Sequence, residues 1–311
     1  MSEQFCDVGR GITLCYETFG EPSNPPALLI MGLGTQMIAW QVDLCEELAA
    51  HGLFVVRFDN RDIGCSTHVA GRPPTIAQLL TRSRHAAHYT LDDMAADTFG
   101  LLRELDLVPA HVIGASMGGM IAQTLAVRHP QAVRSLVSIM SNTGSRRSGR
   151  PSLHVYPVLL RRASRSREEF VANALRTFAA IGSRGLPQDT DDLRAVAEAS
   201  YDRDHSAAGP GRQLAAIIAS GDRTAQLRAI SAPTLVIHGT TDPLIAPSGG
   251  RATARAIPGA RLLSIEGMGH DLPRAAWPQL LDAISTHALE ADGRSGGDLS
   301  LPTRPPSLSG L

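Results

Sequence analysis

HVIGASMGGMIAQ, residues 111–123, passes from a strand-like apolar run straight into a helix-like one. At the junction stands Gly114-Ala115-Ser116-Met117-Gly118. A bare G-x-S-x-G match is common by chance, but between a strand and a helix it is specific. The sharp turn strains the backbone and exposes the serine hydroxyl, and side chains at either glycine would collide across it. The helix start beneath Ser116 also favours developing negative charge.

On either side of this turn, apolar runs alternate with longer helical patterns. Ala27–Met31, Phe54–Phe58, His111–Gly114, Leu136–Met140, Thr234–His238 and Arg261–Ile265 read as strands buried on both faces. Helices are predicted at about 37–51, 91–106, 117–129, 247–257 and 275–289. In the second of these, Leu91, Met94, Ala95, Thr98, Leu101, Leu102 and Leu105 recur at helical spacing and form a core face. The first ~20 residues read as an antiparallel lead-in with Gly9 and Gly11 at its turn. The pattern implies a mostly parallel, eight-stranded sheet with helices on both faces.

From residue 142 to 230 the alternation stops. Helical patterns such as Glu168–Ala180 and Thr190–Tyr201 follow with no convincing strand, and strands resume after Pro233. The expected division is a core of residues 1–141 and 231–290, a helical cap over 142–230, and a disordered Gly/Ser/Pro-rich tail over 291–311. Val155, Leu159, Leu160 and Phe178 are candidate apolar covers for the site. Arg146–Arg150 and Arg161–Arg167 read as solvated faces.

A serine hydroxyl needs a base. His270 stands in Glu266-Gly267-Met268-Gly269-His270, just past the last strand and among glycines that let the loop turn over the sheet. A lone histidine is usually structural. His51, His129 and His205 look like surface or helix-end residues, and His85 and His88 lack a third ligand nearby. Imidazole in turn needs a carboxylate to fix its tautomer. Asp242 follows the strand TLVIHG, whereas the loop after Leu136–Met140 reads Ser141-Asn142-Thr143 and offers no acid. The expected oxyanion donors are the backbone N–H groups of Met117 and of Leu33, the latter in Met31-Gly32-Leu33-Gly34.

The composition removes other chemistries. The formal net charge is −1, which gives no general pull toward nucleic acid or anionic membrane. All 29 basic residues are arginine, so a lysine Schiff base, a Ser–Lys dyad and a Walker A loop are excluded. Cys6, Cys15, Cys45 and Cys65 form no C-x-x-C pair and no ligand cluster, so free thiols and no metal are expected. Cys6 and Cys15 could still face each other across the N-terminal hairpin. MSEQFCDVGRG has no signal-peptide pattern, and no apolar run reaches membrane-spanning length, so the cytoplasm is the expected location.

LLIMGLG, VVRFDNRDIGCS, HVIGASMGGMIAQ, PTLVIHGTTDPL and EGMGHDLP together resemble α/β-hydrolases of the actinobacterial esterase/lipase group that contains aclacinomycin methylesterase. The resemblance covers about residues 8–290 and is weakest in the cap. It implies an α/β-hydrolase fold and hydrolysis of a small-molecule ester through Ser116, His270 and Asp242, with no cofactor. Asn60–Ser66 resembles the family's R-D-x-G-x-S turn, which is structural. Met31 departs from the histidine that many members carry before the oxyanion glycine. A carboxylate nucleophile, as in epoxide hydrolases and dehalogenases, is missing at Ser116. Thioester or C–C hydrolysis, acyl transfer, perhydrolysis and a silent ligand-binding role stay open, as does the oligomeric state.

Overall fold

The computed structural model describes residues 2–81, 86–159, 164 and 166–293. Its sheet holds β1 (Gln4–Asp7), β2 (Thr13–Phe19), β3 (Pro26–Ile30), β4 (Phe54–Phe58), β5 (Ala110–Ala115), β6 (Val133–Ile139), β7 (Thr234–Gly239) and β8 (Arg261–Ile265). They lie in the order β1-β2-β4-β3-β5-β6-β7-β8. β1 and β2, and β2 and β4, run antiparallel, and every other neighbouring pair is parallel. The expected strands are all present. Gly9 and Gly11, at φ 85° and 72°, make the hairpin turn between β1 and β2.

Before β6 the chain forms helices α1 (Val42–Ala50), α2 (Ile76–Leu80), α3 (Leu91–Glu104) and α4 (Met117–Arg128). Between β6 and β7 come α5 (Tyr156–Leu159), α6 (Arg167–Ile181), α7 (Thr190–Arg203), α8 (Ala208–Ser220) and α9 (Thr224–Leu227), with no strand among the described residues. α10 (Ser248–Ala256) follows β7, and α11 (Trp277–Ala291) follows β8. Among the described residues no helix is long and apolar enough to cross a membrane.

Alternate side chains of the central strands feed two cores. Leu28 and Ile30 join Val112 and the inner faces of α3 and α4, among them Met94, Leu101 and Ile121. Ala27 and Leu29 join Trp40, Leu44, Leu281 and Ile284 on the opposite face. Each large side chain removed from such a core costs about 2–5 kcal/mol, the usual scale for Leu→Ala. The predicted stripe on α3 is buried from Leu91 to Leu102. Thr90 starts that helix with a capping box, its hydroxyl accepting from Asp93 N while the Asp93 carboxylate accepts from Thr90 N.

Three expectations need adjustment. The helix foreseen at 37–51 is a single turn, Met37–Ala39, followed by α1. Gln41 between them is extended, and the Trp40 carbonyl turns to the buried Arg57 guanidinium instead of continuing a helix. Cys6 and Cys15 do not face each other, because the register sets Cys6 opposite Leu14 and Phe5 opposite Cys15. All four cysteines are free. The core also extends past residue 290. α11 reaches Ala291, and Asp292 accepts from Arg134 at 3.1 Å. The rest of the tail, from 294, lies outside the described residues, as do His85, residues 160–163 and Arg165.

The strand order builds a crevice. From β3 the chain moves outward to β4, then returns past β3 to β5. Loops leaving β3 and β5 therefore diverge, the place where open α/β sheets bind ligands. Ile30 pairs with Gly114, so the loop after β3 lies beside Ser116.

Candidate active site

The tight turn after β5 puts Ser116 at φ 55° and ψ −117°, a strained conformation for a residue with a side chain. Ser116 N donates to the Ile139 carbonyl at 2.9 Å, and Ser141 Oγ donates to the Ser116 carbonyl at 2.8 Å. The flanking glycines are there for close approach. A Cβ on Gly114 would stand 2.2 Å from the Gly118 carbonyl oxygen, and one on Gly118 would stand 2.0 Å from that of Ile30.

His270 lies on the loop after β8, its Nε2 2.9 Å from Ser116 Oγ and its Nδ1 2.8 Å from Asp242 Oδ2. Ionised Asp242 can only accept, so neutral His270 carries its proton on Nδ1 and turns the Nε2 lone pair to the serine hydroxyl. Asp242 has a fully buried side chain. Its Oδ1 accepts from Leu244 N and Ile245 N, both at 2.9 Å. Burial pushes its carboxyl up, but His270 and His238 outweigh that and hold it at about 2. His238, on β7, donates from Nε2 to the Ile245 carbonyl at 2.8 Å and stands 3.5 Å from Asp242 Oδ2.

The loop Met31–Gly34 lies against the serine, since a Cβ on Gly32 would stand 3.1 Å from Ser116 Cβ and 3.6 Å from its Oγ. Among the described residues neither the Leu33 nor the Met117 N–H donates to a backbone carbonyl. All five residues singled out in the sequence are thus gathered at the carboxyl ends of β3, β5, β7 and β8.

Other functional neighbours carry weak sequence signals. The insert between β6 and β7 grips the histidine loop. His270 N donates to the Ile181 carbonyl at 2.8 Å, Gly269 N to Ser183 Oγ at 2.8 Å, and Ser183 N to Asp271 Oδ1 at 2.9 Å. Gln188 Nε2 donates to Asp271 Oδ2 at 2.8 Å. Only the motif EGMGHDLP hinted at Asp271; nothing local marked Ser183, which is 88 residues away. Of the four expected covers, Val155 is buried and Phe178 half-buried; the Leu159 side chain and Leu160 lie outside the described residues. Arg146, Arg147 and Arg150 are exposed, as expected.

The cysteine pattern hid one cluster. Folding brings Cys15 Sγ, Cys65 Sγ and a Glu3 oxygen within 4.8 Å of one another, contrary to the expectation of no ligand cluster. Spacing could not show it, because the residue before β1, the strand β2 and the loop after β4 each supply one group. The positive charge there belongs to Arg203, which donates to Glu3 at 2.6 Å and Asp59 at 2.7 Å and lies 3.9 Å from Cys15 Sγ. Burial, with Asp59 and Glu3 beside it, pushes the Cys15 thiol far up, so it stands as the neutral thiol.

A family model described as "alpha/beta hydrolase fold" matches residues 25–273, and the chain belongs to that family. Rhodomycin D methylesterase DnrP of Streptomyces peucetius is 30% identical over 307 residues, covering 90% of this chain and 96% of its own length. 3-Oxoadipate enol-lactonase 2 of Acinetobacter baylyi is 26% identical over 245 residues, with coverage of 78% and 81%. Among solved structures, a hydrolase from Pseudomonas aeruginosa superposes with a TM-score of 0.66 at 25% identity, covering 94% of this chain and 98% of its own.

Proposed function

We propose that the protein hydrolyses carboxylic esters through an acyl-enzyme on Ser116, with His270 as base and then acid and Asp242 as its orienting partner. The observation that carries this reading is the unbroken chain of hydrogen bonds, 2.9 Å from Ser116 to His270 and 2.8 Å from His270 to Asp242. Ester hydrolysis is also the activity that the names of the methylesterase and enol-lactonase relatives describe.

Ser116 Oγ attacks the carbonyl carbon as its proton passes to His270 Nε2, and Asp242 balances the imidazolium. The carbonyl oxygen becomes an oxyanion facing the Leu33 and Met117 N–H groups. Collapse breaks the bond to the alkoxy oxygen, which leaves with the proton from His270. Water then repeats the sequence on the acyl-enzyme, releasing the acid and restoring Ser116.

The insert over 142–230 serves in this reading as a cap that shapes the pocket, and the substrates are esters of moderately bulky, apolar molecules. Methyl esters are the first to assay, given the methylesterase relative. Organophosphonate labelling should modify Ser116 alone, and Ser116→Ala should abolish turnover of p-nitrophenyl and methyl esters. Full activity in Ser116→Ala, or stoichiometric labelling elsewhere, would refute the assignment.

A further inference from the structure

We infer that Gln213, on α8 of the insert, is a positioning residue for the oxyanion loop, an inference that rests on the ester-hydrolase reading above. Its side chain is completely buried. Oε1 accepts from Gly34 N at 2.9 Å, and Nε2 donates to the Arg61 carbonyl at 2.9 Å. The Gly34 N–H can only donate, so the orientation of the carboxamide is fixed by its partners. One side chain therefore ties the residue after Leu33 to the loop after β4.

The surroundings make this tie rigid. Arg212, next to Gln213, grips Asp62 with two bonds, Nε at 2.9 Å and Nη2 at 2.6 Å. Gly209 lies so close that a Cβ would stand 1.8 Å from the Asp62 carbonyl oxygen. Pro210 covers Gly34, with its Cβ 3.3 Å from where a Gly34 Cβ would stand. The first turns of α8 are thus docked, and Gln213 has little freedom to drift.

The loop needs such a brace. Gly34 has φ 66°, and the thioether side chain of Met31 brings no N–H or O–H donor to hold the loop. Within the loop, Thr35 N and Oγ1 donate to the Gly32 and Leu33 carbonyls at 3.3 and 3.2 Å. Ties from elsewhere include Asn60 Nδ2 to the Met31 carbonyl at 3.0 Å, Asp59 Oδ1 accepting from Met37 N at 2.7 Å and Gln36 Nε2 to the Ser200 carbonyl at 2.8 Å. None of these outside ties touches the segment between Gly32 and Gly34. Gln213 does, one residue from the expected oxyanion donor, and oxyanion stabilisation depends on donors held still before the charge forms.

The test is Gln213→Leu, of similar volume but unable to hydrogen-bond, with Gln213→Glu beside it. A carboxyl between an N–H donor and a C=O acceptor is held protonated and replaces the amide group for group. For a p-nitrophenyl ester, Gln213→Leu should lower kcat about ten- to a hundredfold, less than the ~10²–10³ for losing an oxyanion donor outright. KM should be almost unchanged, a trifluoromethyl ketone should bind more weakly by the same factor as kcat/KM falls, and Gln213→Glu should recover most of the loss. Hydrogen exchange should quicken in residues 31–37 but not in β5. Unchanged kcat and ketone affinity in folded Gln213→Leu would overturn the inference, as would loss in both variants with KM rising in step. Should Gln213→Leu not fold, the shorter Gln213→Asn carries the same expectations. Failure of the ester-hydrolase reading would show separately, as an active Ser116→Ala.

Discussion

Ser183 holds Asp271 by two bonds to one oxygen, its backbone N at 2.9 Å and its hydroxyl at 2.5 Å from Asp271 Oδ1. The same hydroxyl accepts from Gly269 N, so the residues on either side of His270 are fastened to one serine of the insert. His270, the proposed base, is thereby placed from two directions: Asp242 sets its ring, and the insert sets its backbone.

Asp271 carries a cost of its own. Burial pushes its carboxyl above the ordinary range, against the hydrogen bonds of Ser183 and Gln188. A carboxyl raised in the folded state stabilises the fold fully below its unfolded pKa, near 4, and loses that contribution as pH rises through the folded value. Asp271→Asn keeps an acceptor for Ser183, and the Gln188 amide can turn to meet the new NH₂. At pH 7 the variant should melt at or above the parent temperature, with the advantage shrinking as pH falls through the carboxylate range. Melting curves from pH 4 to 8 check this; a loss of several degrees that does not vary with pH would show that ionisation of Asp271 is not the cost.

Asp242→Asn tests the other support. The amide can still accept from Leu244 N and Ile245 N, so the loop should fold. An Asn NH₂ facing His270 would select the wrong tautomer, and no anion would balance the imidazolium. Turnover should fall about 10²–10⁴-fold with little change in KM. A wild-type rate would mean that another carboxylate orients His270.

Gly118→Ala sets two effects against each other. Helix propensity favours alanine by about 1 kcal/mol. Against it, the new Cβ would meet the Ile30 carbonyl carbon at 2.6 Å and its oxygen at 2.0 Å, both backbone atoms that cannot swing aside. The contact wins, and the net loss should be about 3 kcal/mol or more, the upper range for overpacking. For a domain of this size that lowers the melting temperature by roughly 6–12 °C. Melting at the parent temperature would mean that α4 does not sit against β3 so closely.

How much of this was legible depended on sequence distance. Phe54–Phe58 and Arg261–Ile265 emerged residue for residue, because a strand buried on both faces is a local run of apolar side chains. Ser116, His270 and Asp242 were readable because each follows a strand and has its own glycine- or proline-marked turn. Gln213 was not, since its partner Gly34 is 179 residues away and a glutamine in a helix looks like any solvated one. The Glu3–Cys15–Cys65 cluster escaped for the same reason, as its members meet only when three separate segments pack. Trp40 broke the foreseen first helix through a contact with Arg57, which no periodicity in residues 37–51 records.

The proposed oxyanion loop, Met31–Gly34, offers a test aimed at the backbone. The expected donors are amides, so side-chain removal at Leu33 should matter little. Leu33→Ala should stay within about tenfold of the parent, the loss coming from its packing against the core. Leu33→Pro deletes the N–H itself and should cost at least ~10²–10³ in kcat, the usual scale for one such donor. Proline also restricts Gly32, so circular dichroism must first show a parental fold. Gly32→Val separates crowding from donation: its Cβ would stand 3.1 Å from Ser116 Cβ, tight enough to hinder the approach of a carbonyl while every N–H is kept. It should therefore raise KM for bulky esters more than for small ones, whereas Leu33→Pro should depress kcat for both alike. Wild-type turnover in folded Leu33→Pro would remove the Met31–Gly34 loop from the oxyanion hole, and with it the reason for Gln213 to brace that loop.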